Sequence, residues 1–323
     1  MRILVSDTMY SNTDIGQHAA QQIGEGIGEI VLNPFGHMLT SEEIEELWQD
    51  VDVIVAGTER YDAALLKKAP KSLKLIARNG VSFEKVDLKA AEQMKITITN
   101  LRGANAKAVA DATMALILAV ARKLPAVDRS VRDGRWIQWV ADDLYGKTLG
   151  IIGFGAIGKQ VAKRALGFDM KVLAYSPPNH FDQSYAAALG VQEADVNEIL
   201  CKSDFVSLHL PVLPETVGMI NSASLSLMKP SAYLINTSRG VLIKENDLIE
   251  ALKNGIIQGA ALDVYEEEPL GNSRLRMLDN VVLSPHCAGM TKNAIMEMAR
   301  GNRENILAVM HNRECQNIVV GPF

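Results

Sequence analysis

The chain has 323 residues, 48% of them apolar, with 24 glycines and a formal net charge of −5. That is enough chain for two domains with separate cores. The acidic balance, without any lysine or arginine cluster, excludes a general nucleic-acid binder, which needs a basic face to neutralise phosphates. Asp7 comes too early for a signal peptide, and the most apolar helix, around 114–120, is bracketed by Asp111 and Arg122. Cys201, Cys287 and Cys315 lack C-x-x-C spacing. The expectation is therefore a soluble cytoplasmic protein with no membrane span, no disulfide framework and no metal site.

In chain order, residues 2–6 read as a buried strand and 14–23 as the helix after it. Residues 29–32 give a second strand, Thr40-Ser41-Glu42-Glu43 is a capping box opening a helix through Trp48, and 52–56 is a third strand. Residues 75–77 and 95–98 add two more, with the loop Arg78-Asn79-Gly80-Val81-Ser82-Phe83 between them. Strands alternating with helices imply a parallel sheet, and open sheets of this kind bind ligands beyond their carboxyl ends, where this loop falls. An Ala-rich helix over 104–122 looks like a connector to a second unit. Asp133-Gly134 marks a turn. Trp136 and Trp139 read as ordinary core, or as a subunit interface, where large aromatics are enriched.

The segment from Leu149 to Lys159 reads as strand, glycine turn and helix start, and contains the G-x-G-x-x-G of Gly153, Gly155 and Gly158. Gly153 suits the tight turn, Gly155 lets the backbone approach a pyrophosphate, and Gly158 allows close helix–strand packing. The diphosphate is expected at the helix N-terminus, with Ala156 and Ile157 donating main-chain N–H groups. A second strand, 171–175, follows. Its end carries Ser176, neither the acid that selects NAD nor an arginine for the phosphate of NADP, so the choice stays open, leaning to NAD because no cation is visible.

Alternation resumes with a helix at 196–202, a strand at 204–209, a short helix at 222–228 and a strand at 232–236. A helix at 245–254, strands at 259–263 and 280–283, and a last helix at 291–310 complete it. Arg239, Glu268 and His286 fall just beyond the ends of three of these strands, and such ends converge. An arginine fork suits a carboxylate, an imidazole exchanges protons with an alcohol near neutral pH, and a neighbouring carboxylate favours its charged form.

Several further stretches occur in one order: 105–111, Gly134-Arg135-Trp136, 203–211, Glu215-Thr216, Ile235-Asn236-Thr237-Ser238-Arg239-Gly240, Leu262-Asp263-Val264-Tyr265 with Glu268-Pro269, and Ser284-Pro285-His286. On these the sequence resembles the D-isomer-specific 2-hydroxyacid dehydrogenases over nearly its whole length. The spacing of Arg239, Glu268 and His286 looks like that of the phosphoglycerate and glyoxylate/hydroxypyruvate members.

The resemblance implies an α/β protein of two doubly wound parallel-sheet domains, a Rossmann cofactor domain (101–289) inserted into a flavodoxin-like substrate domain (1–100 and 290–323). It implies an NAD(P)-dependent oxidoreductase with Arg239, Glu268 and His286 catalytic, and a homodimer formed through 112–139. Thr237, Ser238 and Arg239 would line the nicotinamide ribose, Asp263 the nicotinamide with Ala288 beside it, and Leu210, Pro211 and Thr216 the adenine half. The backbone of Val81 and Ser82, with Arg239, would hold the substrate carboxylate. Ser82 stands where the family usually has Gly, Leu101-Arg102 where a Thr-Pro pair is common, and Asp111 where Glu is typical. Two domains also imply hinge closure, at 100–103 and 288–291. The chain ends soon after its last helix, so no appended regulatory domain is expected. Alternative readings are a dinucleotide-sensing protein of the corepressor type and a phosphite-type dehydrogenase; Glu268, where formate enzymes of this superfamily use Gln, argues against formate.

Overall fold

The computed structural model describes residues 1–321, so the last two residues of the expected 290–323 segment lie outside the described residues. The chain divides into two compact units, Met1–Asn105 with the segment from Met290 onward, and Ala106–Gly289.

In the first unit, strands β1 (Arg2–Val5), β2 (Glu29–Leu32), β3 (Val53–Ala56), β4 (Leu75–Arg78) and β5 (Thr97–Thr99) lie parallel in the order β2-β1-β3-β4-β5. Each intervening helix starts on a side chain that satisfies an otherwise unpaired N–H. Thr13 caps Asp14–Gly24, Asp62 caps Ala63–Leu66 and Asp87 caps Leu88–Gln93. The capping box forms as read: Thr40 N–H donates to Glu43 Oε2 at 2.9 Å and Glu43 N–H to Thr40 Oγ1 at 3.3 Å, at the head of Ser41–Leu47. The strand expected at 95–98 begins two residues later. Lys95 is left-handed (φ +58°) and the Ile96 N–H turns back to the Ala91 carbonyl, so both residues close the preceding helix.

The second unit holds β6 (Thr148–Ile152), β7 (Lys171–Tyr175), β8 (Gln192–Glu193), β9 (Phe205–Leu208), β10 (Tyr233–Asn236), β11 (Gly259–Leu262) and β12 (Val281–Leu283). All are parallel, in the order β8-β7-β6-β9-β10-β11-β12. The direction of winding reverses between β6 and β9, the place where doubly wound sheets open to a ligand. Leu149, Ile151, Phe205 and Ile235 point to one face of this sheet, and Ile152, Val206, Leu208 and Leu234 to the other, each within its own apolar cluster. A fully buried side chain of this size contributes about 1.5–3 kcal/mol.

The Ala-rich helix spans Ala106–Ala121, and Ala110, Met114 and Ile117 are buried in the same cluster as Val161 and Ile151. It belongs to the second unit and is no free connector. Lys123, left-handed at φ +51°, ends it, and Pro125 opens a further helix, Leu124–Arg132, that the sequence pattern does not separate. The core reading of the tryptophans is overturned: Trp136 is 83% exposed and Trp139 37% exposed. They follow the Gly134 turn on a segment without helix or strand, which gives them no packed face to enter.

Thr291 caps the last helix, Lys292–Met310, which returns the chain to the first unit. There β13 (Ile318–Val320) adds an antiparallel edge beside β5, an addition the parallel-sheet expectation lacked. No helix among the described residues is long and apolar enough to cross a membrane.

Candidate active site

The glycine turn is built as its spacing suggests. Gly153 has φ +114°, and a Cβ on it would lie 2.5 Å from the His209 carbonyl carbon, so only glycine both adopts this backbone and admits β9 so close. A Cβ on Gly158 would lie 2.1 Å from the Gly153 oxygen. The N–H groups of Gly153 and Phe154 both donate to the Tyr175 carbonyl at 2.9 Å, tying the turn to the end of β7 and hence to Ser176, which is half-buried. Phe154 is the anchor: it is buried and stacks on Phe181 at 5.1 Å.

Gly155 differs from its two partners. A Cβ there would meet nothing within 4 Å, and no side chain caps the helix Ala156–Leu166 that starts behind it. An uncapped helix start, facing open space at the sheet's switch point, suits a dinucleotide diphosphate. The residues expected along the rest of such a ligand have committed side chains. Thr216 Oγ1 donates to the Pro211 carbonyl and accepts from Leu213 N–H, both at 2.8 Å, and so closes the 211–216 turn. Ser238 Oγ donates to the Leu210 carbonyl at 2.5 Å, and the Thr237 hydroxyl lies 3.0 Å from that of Thr113. These residues shape a wall.

Asp263 directly follows β11 and is 1% exposed. Its Oδ1 accepts from Ser284 Oγ at 2.6 Å and Cys287 N–H at 3.0 Å, and its Oδ2 from Ala288 N–H at 2.9 Å. Its main-chain oxygen takes the His286 N–H at 2.8 Å. One carboxylate therefore folds the whole 284–288 segment, and of its roughly four acceptor sites one is left. Within that segment His286 is left-handed, φ +52°. Such a backbone costs a non-glycine residue about 1–3 kcal/mol and persists because the surrounding bonds over-determine it.

His286 Nδ1 lies 2.7 Å from Glu268 Oε2, and the other oxygen of Glu268 accepts from Tyr265 N–H at 3.1 Å. Burial alone would raise the Glu268 carboxyl. The His286 bond and charge, the Tyr265 N–H and the Arg239 guanidinium outweigh it and hold that carboxyl below its ordinary value. An ionised carboxylate can only accept, so Nδ1 carries the proton of this bond and Nε2 is the atom turned to other chemistry. The imidazole is 45% exposed and can be reached. Arg239 stands after β10 with its Nη1 on the Ser238 carbonyl at 2.7 Å, while its own carbonyl accepts from Asn236 Nδ2 at 2.9 Å. A Cβ on Gly240 would lie 1.8 Å from the Tyr265 carbonyl carbon, so the 239–240 turn rests directly on the turn that presents Glu268.

The three residues picked from strand ends are thus brought together. The sequence reading missed their support: Tyr265, whose hydroxyl also donates to the Ser284 carbonyl at 2.8 Å, and Asn236 and Ser284. Only their position within recurring stretches could have signalled them. His209, the other histidine at a strand end, is a different case. Burial pushes it down to about 3, so it stays neutral, with Nε2 at 2.8 Å from Ser207 Oγ.

Residues 114–288 match the family model "D-isomer specific 2-hydroxyacid dehydrogenase, NAD binding domain". A glyoxylate reductase of Thermococcus litoralis is 42% identical over 281 residues, 84% of each chain. The chain belongs to the D-isomer-specific 2-hydroxyacid dehydrogenases. A D-3-phosphoglycerate dehydrogenase of Methanocaldococcus jannaschii is 38% identical over all of this dehydrogenase, which spans 60% of that protein's length. A solved structure from Thermus thermophilus superposes with a TM-score of 0.87 at 37% identity, over 99% of this chain and 100% of that one. This dehydrogenase is an oxidoreductase with a nicotinamide dinucleotide cofactor.

Gly155→Val fills the open space in front of the helix start without touching protein. The expected outcome is dinucleotide affinity reduced at least ten-fold, about 1.4 kcal/mol, with an unchanged melting temperature; titration by protein fluorescence and a thermal melt check the two halves.

Proposed function

We propose that this dehydrogenase interconverts a short 2-keto acid and its D-2-hydroxy acid, with His286 exchanging the proton at the reacting oxygen. The observation that carries the reading is the 2.7 Å His286–Glu268 bond, with Arg239 in electrostatic reach of the same carboxylate. In the reductive direction the bound dinucleotide supplies the hydride taken up by the keto carbon. His286 gives the proton on Nε2 to the developing alkoxide, Glu268 stabilises the imidazolium and fixes its orientation, and Arg239 polarises the keto oxygen. Val81 and Ser82 take the substrate carboxylate on their main-chain N–H groups.

For the cofactor, Gly153, Gly155, Ala156, Ile157 and Gly158 hold the diphosphate and Ser176 borders the adenosine ribose. Leu210, Pro211 and Thr216 flank the adenine, Thr237 and Ser238 the second ribose, and Asp263 and Ala288 the nicotinamide. With no cation at Ser176 the proposed cofactor is NAD. The proposed substrates are glyoxylate and hydroxypyruvate, with 3-phosphohydroxypyruvate next, in keeping with the names of the similar proteins. Substrate binding falls to the 1–100 and 290–323 part of the chain, dinucleotide binding to 101–289. The three free cysteines suit the reducing cytoplasm.

The enzyme is further proposed to act as a homodimer through 112–139. Leu124, Val131, Trp136, Ile137 and Trp139 are exposed there, and Val140 just beyond is 92% exposed. Such clustered apolar surface marks an association face.

NADH and NADPH oxidation against glyoxylate, hydroxypyruvate, 3-phosphohydroxypyruvate, pyruvate and 2-ketoisocaproate tests the reading, and tight dinucleotide binding without turnover on this panel would sink it. His286→Gln is expected to lower kcat by about 10²–10⁴-fold with dinucleotide affinity kept. Glu268→Gln keeps the shape but loses the carboxylate that accepts from His286 Nδ1 and orients the ring, and is expected to lower kcat by about 10²-fold with dinucleotide affinity kept. Trp136→Glu with Val140→Glu should halve the mass seen by light scattering while each chain stays folded by circular dichroism.

A further inference from the structure

In the first unit the loop after β4 is held by its carbonyls, one after another. The Gly80 oxygen accepts from Leu101 N–H at 2.8 Å, the Val81 oxygen from Asn100 Nδ2 at 2.8 Å and the Ser82 oxygen from Arg78 Nε at 3.2 Å. The Gly80 and Val81 carbonyls share their peptide planes with the N–H groups of Val81 and Ser82, which donate to no protein acceptor among the described residues, while the Ser82 carbonyl fixes the plane that follows. A peptide plane held by its oxygen presents its N–H on the opposite side, and successive N–H groups so presented form an anion-binding concavity.

The two side chains in this arrangement are themselves fixed from below. Arg78 and Asn100 are each 2% exposed. Asn100 receives Asn305 Nδ2 on its main-chain oxygen at 3.1 Å, and Asn317 Nδ2 in turn donates to Asn305 Oδ1 at 2.9 Å. Asn79, next to Arg78, is gripped by Asp7, Tyr10 and Asn302 at 2.8–3.0 Å. Asn302 and Asn305, one turn apart on the helix Lys292–Met310, thus clamp both flanks of the loop.

This floor is poor as plain structure. Arg78 Nη1, Glu59 Oε2, Tyr61 OH and Asn100 Oδ1 are buried without a hydrogen-bond partner, and Glu59 and Arg78 are buried ionisable groups. Packing alone would be served as well or better by apolar side chains of like volume. What the polar groups do achieve is to fix the direction of two peptide planes.

We propose that Asn100 and Arg78 are positioning residues that act only through the main chain: Asn100, on the Val81 oxygen, aims the Ser82 N–H at the substrate carboxylate, and Arg78, on the Ser82 oxygen, braces the following Ser82–Phe83 plane. This rests on the reading that Val81 and Ser82 bind that carboxylate. Arg78 contributes through its Nε donor and not as a counter-ion, so lysine, which keeps the charge and loses that donor, does not replace it.

The test compares glyoxylate with its uncharged methyl ester, both with NADH, in Asn100→Ala, Arg78→Lys and Ser82→Pro, with Ser82→Ala as control. Thermal melts select the variants that fold, and either tether variant alone suffices. The expected result for a tether variant is a KM for glyoxylate raised roughly ten- to a hundred-fold, with kcat and dinucleotide affinity within about two-fold and the preference for acid over ester largely lost. A purely structural role would weaken acid and ester alike, and that outcome overturns the proposal. Ser82→Pro deletes one of the N–H groups themselves. If it raises the glyoxylate KM while both tether variants behave as wild type, the proposal fails and the carboxylate reading stands. If Ser82→Pro matches Ser82→Ala with an unchanged KM, the carboxylate reading fails and takes the proposal with it.

Discussion

Asp263 carries a buried carboxylate that accepts from Ser284, Cys287 and Ala288 and whose main chain takes the His286 N–H. A buried carboxylate is tolerated only when it is hydrogen-bonded, and this segment supplies all three of those bonds, so 284–288 has little freedom to take any other shape. The left-handed backbone of His286 follows from that constraint, and with it the direction of the imidazole toward Glu268. Tyr265 completes the lock by holding Glu268 with its N–H and Ser284 with its hydroxyl. The proposed proton donor is therefore aimed by groups that take no part in its chemistry.

The same logic recurs at the two proposed anion sites, each of which presents main-chain N–H groups. At the glycine turn, an uncapped helix start and the bare Gly155 leave N–H groups facing open space. At 80–82, the tethered Gly80 and Val81 carbonyls leave the Val81 and Ser82 N–H groups without a protein acceptor among the described residues. Main-chain donors fixed in advance need no reorganisation when charge arrives, which is why a rigid scaffold of strands carries them. The polar atoms orphaned beneath the 80–82 loop are a stability cost borne by the scaffold, and strained or unsatisfied groups tend to gather beside sites of function.

Most elements are legible in the chain without its structure because their signals are local. The Thr40 capping box, the Thr291 cap and the apolar strands each follow from a few neighbouring residues. The glycine motif carries part of its own geometry, since Gly158 is required by the Gly153 oxygen and Gly153 by its positive φ, although the segment that crowds Gly153, at His209, is distant in sequence. The misses share a different cause. The strand expected at 95–98 is displaced because helix closure at Lys95 wins over an apolar pattern. Trp136 and Trp139 suggest core by their size, and size alone says nothing about whether a packed face is near.

The sequence by itself determined the alternation of strands and helices, the dinucleotide turn and, through several stretches in one order, the dehydrogenase family with Arg239, Glu268 and His286 as its candidate residues. These depend on residue type and short spacing, which sequence displays directly. Only the tertiary structure decided that Asp263 organises the 284–288 segment, that Gly240 seats Arg239 against Tyr265, and that Arg78 and Asn100 hold the carbonyls of the 80–82 loop. All of these but the short-range Arg78–Ser82 bond are contacts between segments distant in sequence. No local pattern encodes the distant ones, because parallel strands bring such ends together only after the sheet has formed.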